Sequence, residues 1–128
     1  MDTKSQHLLM DLWLDQSVEP IVEQIKDLVE QNFKVVARSN KLFEPQGETI
    51  VFVLSESHFS LHTYPEHQYI TLDIYICNLS IDMNQVKDKI LKLACPIKHN
   101  EVLLIRGSDQ GIIKKWLSRK LNIQPSFG

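Results

Sequence analysis

The chain has 128 residues, of which 43% are hydrophobic and 23% charged, with a formal net charge of −2 and a pI near 6.2. That length suits one domain with a real core, and the proportions are ordinary globular values. The near-neutral balance gives no electrostatic case for nucleic acid or an anionic membrane, and no segment approaches the ~20 apolar residues that span a bilayer.

"HLLMDLWL" (7–14) predicts a first strand. Ser17 suits a helix N-cap, and Ile21, Val22, Ile25, Leu28 and Val29 follow at helical spacing. Pro20 falls in the first turn, where its missing N–H is tolerated. "FKVVARSNKLF" (33–43) predicts a second strand, broken at Ser39-Asn40, and "PQGE" (45–48) a turn. "TIVFVL" (49–54) is an apolar run of strand length. "HFSLHT" (58–63) alternates, with Phe59 and Leu61 to one side and His58, Ser60 and His62 to the other. After Pro65, "QYITLDIYIC" (68–77) alternates again. Ile70, Leu72, Ile74 and Ile76 make one face, and Tyr69, Thr71, Asp73, Tyr75 and Cys77 the other. Met83, Val86, Ile90 and Leu93 predict a helix that starts at Asp82 and stops before Pro96. "EVLLIR" (101–106) is a last strand. Residues 108–121 read as a terminal helix with Ile112, Ile113, Trp116 and Leu121 inward and Lys114, Lys115, Arg119 and Lys120 solvated.

This order, β-α-β-β-β-β-α-β-α, predicts an α+β two-layer sandwich with a mainly antiparallel sheet and helices on one face. The opposite face, rich in histidine and tyrosine with Asp73 and Cys77, is the expected docking side for a partner sheet or a ligand. The opening "MDTKSQHLLMDLWLD" lacks a basic n-region and a long apolar run, so no signal peptide is expected, and two cysteines, Cys77 and Cys95, are too few for a disulfide scaffold. A cytoplasmic protein with reduced thiols is expected, with Cys95 as a buried structural residue.

The stretch "SESHFSLHTYPEH" (55–67) crowds reactive side chains between two apolar, β-branched segments, where polar groups are costly unless paired or used. His58 and His62 lie four residues apart, about 13 Å along a strand, too far to share one zinc. No metal is expected. Ser57, His62 and Asp73 could serve as nucleophile, base and orienter, but nothing resembles a nucleophile elbow. A purely structural role for edge-strand polar residues stands equally open on pattern alone.

"FEPQGETIVFVLSESHFSLHTYPEHQYITLDIYIC" (43–77) resembles the core of the bacterial and archaeal S-adenosylmethionine decarboxylases, small pyruvoyl enzymes of similar length. The shared pattern is an F-x-P-x-G turn, an apolar strand, S-E-S-H-x-[ST]-x-H-T-W-P-E, and a following strand ending in Cys. "HLLMDLW" resembles the family's opening strand, whereas residues from about 96 onward carry no shared motif.

The resemblance implies self-cleavage at Glu56-Ser57, giving a β chain of residues 1–56 and an α chain of 57–128 that begins with a pyruvoyl group made from Ser57. It implies His62 as base, with Thr49 or Ser55 as the assisting hydroxyl. Cys77 matches the proton donor of the decarboxylation that follows, an unperturbed thiol being mostly protonated near neutral pH. Phe43 matches a residue that stacks on adenine, and Glu66 one that binds the ribose hydroxyls. His7 matches a family position without an assigned role. The implied assembly is a homodimer of processed protomers, with S-adenosylmethionine as substrate and polyamine synthesis as the destination.

Four positions depart from the pattern: Thr49 for Ser, Ile50 for Gly, Tyr64 for Trp and Asn78 for Gly. Two lost glycines bear on backbone conformation beside the site, and so on processing rate and substrate choice. An arginine or ornithine decarboxylase of the same fold and a non-processing regulatory homologue are the alternatives. Simple alternation sets Ser57 and His62 on opposite faces, so the resemblance predicts a bend near the scissile bond.

Overall fold

Seven strands pair antiparallel into one sheet in the computed structural model, which describes residues 3–119. Along the chain come β1 (Ser5–Trp13), α1 (Val18–Asn32), β2 (Ala37–Leu42), β3 (Glu48–Leu54) and β4 (Ser57–Tyr64). A 3-10 turn (Pro65–His67), β5 (Tyr69–Ile76), α2 (Met83–Ala94), β6 (Lys98–Arg106) and β7 (Ile113–Lys115) follow. In space the order is β2-β3-β4-β5-β1-β6-β7, so the first strand closes the middle of the sheet between β5 and β6.

The period-two pattern decides which face is covered. Leu8, Met10 and Leu12 of β1, Phe59 and Leu61 of β4, and Ile70, Leu72, Ile74 and Ile76 of β5 are all buried. They meet Ile21, Val22, Ile25 and Val29 of α1 and Met83, Ile90 and Ala94 of α2 in one core. Alternate residues point to the other face, which neither helix covers. Lys26 fastens α1 to the start of β3 through both Glu48 oxygens, each at 3.1 Å. Burial pulls the Lys26 pKa down, but hydrogen bonds to Glu48 and Glu23 outweigh it, and the net shift is upward.

Local signals act largely as expected. Asp82 caps α2 by accepting the Asn84 N–H at 2.9 Å. Ser17 occupies the N-cap of α1 with extended backbone, yet its side chain makes no capping bond. Gly47 closes the β2–β3 turn at φ +107°, where its carbonyl accepts the Phe43 N–H at 2.9 Å.

Four expectations are corrected. The expected break at Ser39-Asn40 is absent: β2 is continuous, with Ser39 opposite Val51 and Asn40 donating to Glu48 at 3.0 Å. The second strand starts at Ala37 rather than at 33, because Phe33 serves as the C-cap of α1 and packs on the core. Cys95 is exposed, not buried; it is the left-handed C-cap of α2, and a C-cap stands at the helix rim. The terminal helix is replaced over 108–119 by a turn and β7, which pairs Ile113–Lys115 with Leu103–Ile105 of β6. Leu121 and Lys120 lie outside the described residues.

The physical reason for β7 is non-local. β6 would otherwise present an unpaired edge, and the "GSDQG" run turns the chain back to cover it. Gly107 holds φ +83°, and a Cβ there would sit 1.9 Å from the Thr3 carbonyl oxygen. Beyond β7 the chain crosses α2: buried Lys87 donates to the Ser118 carbonyl, and the Ser118 N–H donates to Asn84 Oδ1 at 2.9 Å.

Candidate active site

The β3–β4 connection is a two-residue hairpin, Ser55-Glu56, closed by the pair Leu54↔Ser57. Ser55 adopts φ 62°. A positive φ at the first turn position favours glycine, so a serine there stores strain of ~1–3 kcal/mol beside the Glu56-Ser57 bond.

Cys77, just past the end of β5, touches both sides of that bond. Its backbone N–H donates to Ser57 Oγ at 3.0 Å, and its thiol donates to the Glu56 carbonyl oxygen at 3.1 Å. The serine oxygen and the carbonyl it would attack are thus both held by one residue. Buried Gln6 supports this corner, its amide donating to the carbonyls of Asn78 (3.1 Å) and Ile81 (3.0 Å) in the loop after Cys77. Ser55 itself is exposed in the turn.

A second cluster lies two steps down the open face. Asp73 Oδ1 stands 2.5 Å from His7 Nε2 and 3.5 Å from His58 Nε2. His58 stacks on Tyr75 at 5.5 Å and 25°, and His7 meets the same ring edge-on at 5.7 Å. One polar atom from each of the three residues falls within 4.8 Å of the other two. His7 and Asp73 share a short hydrogen bond, whereas His58 stands off the same carboxylate and is held by its stack on Tyr75.

At the far end of β4, Thr49 Oγ1 and His62 Nδ1 lie 2.8 Å apart as a cross-strand pair. Glu66, in the 3-10 turn, accepts from Gln46 Nε2 at 3.4 Å, and Phe43, at the β2–β3 turn, is half exposed. Tyr64, Tyr69 and Trp13 form an aromatic row there, with ring separations of 5.5 and 5.0 Å. Tyr69 donates to Asp11 at 2.6 Å; burial first, then that carboxylate, raise its pKa and keep it a donor.

The structure therefore brings Glu56, Ser57 and Cys77 together, and separately pairs Thr49 with His62. It does not bring His62 to Ser57. β4 runs unbroken through both, five residues apart, about 16 Å at strand rise, on opposite faces. The expected bend is absent. Gln6 and the His7–Asp73 contact have no local signature, because each depends on strands some seventy residues apart in sequence pairing as neighbours.

The seven-stranded antiparallel sheet with its two helices is similar in fold to a solved adenosylmethionine decarboxylase from Aquifex aeolicus. That structure superposes with a TM-score of 0.67 at 27% identity, covering 93% of this chain and all of the other. An S-adenosylmethionine decarboxylase proenzyme 2 of Bacillus cereus is 34% identical over 113 residues, 82% of this chain and 90% of its own. A proenzyme of Brevibacillus brevis is 32% identical over 111 residues, 82% of this chain and 84% of its own. The profile of the S-adenosylmethionine decarboxylase family matches residues 6–105. The chain belongs to that family.

Proposed function

We propose that this chain is a self-processing proenzyme whose cleaved form decarboxylates S-adenosylmethionine to supply aminopropyl groups for polyamine synthesis. The observation that carries the reading is the double hold of Cys77 on Ser57 Oγ and on the Glu56 carbonyl at a strained turn. Ser57 Oγ attacks the Glu56 carbonyl carbon, and the Glu56–Ser57 amide becomes an ester, with the Cys77 thiol donating to the developing oxyanion. A base then removes the Ser57 Cα proton. The Cα–H and Cβ–O bonds break, Oγ leaves as part of the Glu56 carboxylate, and residue 57 becomes dehydroalanine. Addition of water with loss of ammonia gives the pyruvoyl end of chain 57–128.

The residues present suit that group. When formed, it supplies a keto carbon for the substrate's amine and a neighbouring carbonyl that draws electrons as CO2 leaves. Cys77 is the candidate proton donor to the carbon that loses carboxylate. Phe43 offers a ring face for adenine, and Glu66 two oxygens for the ribose diol.

The separation of His62 from Ser57 favours a homodimer with shared sites. In this reading, one protomer supplies Ser57 and Cys77, while a second copy supplies Thr49, His62, Phe43 and Glu66. The uncovered face offers the surface for it, with Leu9, Val51, Val102 and Leu104 among its polar groups. A cytoplasmic location fits; among the described residues no helix is long and apolar enough to cross a membrane.

Intact mass and denaturing electrophoresis of the purified chain test the first step. Fragments 1–56 and 57–128 are expected, the second with a blocked N-terminus. Processed protein should then release CO2 from S-adenosylmethionine and not from arginine or ornithine. A single stable chain after long incubation overturns self-processing; activity on a free amino acid alone overturns the substrate.

A further inference from the structure

Cleavage removes two of the constraints on residue 57. In the uncut chain it is bonded into the Ser55-Glu56 turn, and its Oγ accepts the Cys77 N–H. Self-processing as proposed above opens the turn and carries Oγ away on Glu56. Residue 57 becomes a chain terminus, and termini fray unless something ties them down. The β4–β5 ladder gives residue 57 no partner, since its first pair is His58↔Tyr75, and Leu54, the last pair of the β3–β4 ladder, holds it on the other side alone.

We propose that the His58 side chain, clamped by Tyr75 and Asp73, is the anchor that holds residue 57 against Cys77 after cleavage; the inference rests on the self-processing reading. The His58 ring stacks on Tyr75, and its Nε2 lies 3.5 Å from Asp73 Oδ1. Asp73 is fixed in turn by His7 at 2.5 Å. The Arg106 guanidinium lies 5.2 Å from the Tyr75 ring, a cation–π contact on the same platform. His58 is bonded directly to residue 57, and its own N–H belongs to the amide whose carbonyl neighbours the reacting keto carbon. Fixing the His58 ring therefore fixes the direction in which that amide leaves the strand. His58 is a positioning residue: it aims the chain end at the Cys77 thiol without touching substrate.

This role separates two readouts that a general structural role would move together. His58→Ala should cut at close to the unaltered rate, because the uncut turn holds residue 57 covalently. Its processed form should lose kcat by up to about 100-fold, the penalty of a misplaced reacting centre, with little change in KM. A loose chain end also takes its proton at the wrong carbon, so turnover should leave more chain 57–128 capped by alanine, read by intact mass. Amide hydrogen exchange at residues 58–60 of the processed protein should accelerate. His58→Phe, which keeps the stack on Tyr75, should recover part of each loss. Tyr75→Leu, which removes the platform without altering the residue next to the scissile bond, should reproduce the His58→Ala pattern and serves in its place if that variant misfolds. Unaltered kcat, alanine capping and exchange in processed His58→Ala overturn the proposal. So does a loss of cleavage equal to the loss of kcat in both variants. An unaltered chain that never cuts overturns the self-processing reading itself, a failure visible before any variant is made.

Discussion

At the Ser57 end of β4, much of the chemistry is held by the backbone. A strained turn, a peptide N–H and a peptide carbonyl converge there, with the Cys77 thiol as the one side-chain donor besides the serine. At the Thr49–His62 end, side chains dominate: a hydroxyl–imidazole pair, a carboxylate at Glu66 and a row of aromatic rings. The first end has a nucleophile without a base, and the second a base without a nucleophile. Neither is a complete site alone, and β4 is too straight to fold one onto the other. The difference teaches that a regular strand can serve two half-sites, provided a second copy brings the opposite ends together.

Inactivating each end in a different chain separates the two halves most clearly. Ser57→Ala should abolish cleavage and with it all activity, and His62→Ala should slow cleavage severely. Co-expressed, the two should rescue each other in one direction only. A mixed dimer holds one intact pair, Ser57 from the His62→Ala chain and His62 from the Ser57→Ala chain. About half of the His62→Ala chains should then be cut, the share found in mixed dimers under random pairing, and none of the Ser57→Ala chains. No cleavage in the mixture, read by mass of each chain, would place the whole site within one protomer.

Cys77 tests the backbone-dominated end. Cys77→Ala keeps the N–H to Ser57 Oγ but deletes the donor to the Glu56 carbonyl. Cleavage should slow by about 100-fold, the scale for one lost oxyanion donor. Any processed protein should lose decarboxylation by a further ~10²–10⁴-fold, the range for a positioned acid, and collect alanine-capped chains. Cys77→Ser should recover more of the cleavage than of the decarboxylation, because a hydroxyl donates a hydrogen bond well but a proton poorly. Equal rates for Cys77→Ala and the unaltered chain, measured by timed gel densitometry, would remove the thiol from both steps.

What the sequence made legible, and what it hid, follows the same division. Alternation in "HFSLHT" and "YITLDIYI" assigns the strand residues their correct faces, because one face must be buried and the period of two leaves no choice. The α2 boundaries are likewise local, written in Asp82 and in the stop before Pro96. Alternation also sets Ser57 and His62 apart, and the structure keeps them apart where the family resemblance wants them in one site. Hidden were the features that need distant strands to meet. Ile112, Ile113 and Trp116 fit a helical period, but the free edge of β6 claims that segment as β7. His7 and Asp73 lie 66 residues apart and become neighbours only once β1 enters between β5 and β6. Gln6 reads as an ordinary polar residue until its burial under the loop after Cys77 is seen.

The smallest expected effects belong to the side-chain end, where Phe43 and Glu66 contact only the nucleoside part of the proposed substrate. Neither touches the scissile bond of its own chain, and Phe43 stands half exposed, so self-cleavage should proceed normally in Phe43→Ala and Glu66→Gln. Loss of a stacking face or of a charged acceptor is worth ~1.4 kcal/mol or somewhat more, which corresponds to about tenfold in binding. KM for S-adenosylmethionine should therefore rise by about tenfold in each variant while kcat changes little, since these contacts exist equally before and during reaction. The two losses should add, because stacking and ribose binding engage different parts of the ligand. A kcat loss in Glu66→Gln at constant KM would mean that the carboxylate serves the reacting centre instead. Unchanged constants in both variants would detach this end from the substrate altogether, leaving Thr49 and His62 as its only contribution to the shared site.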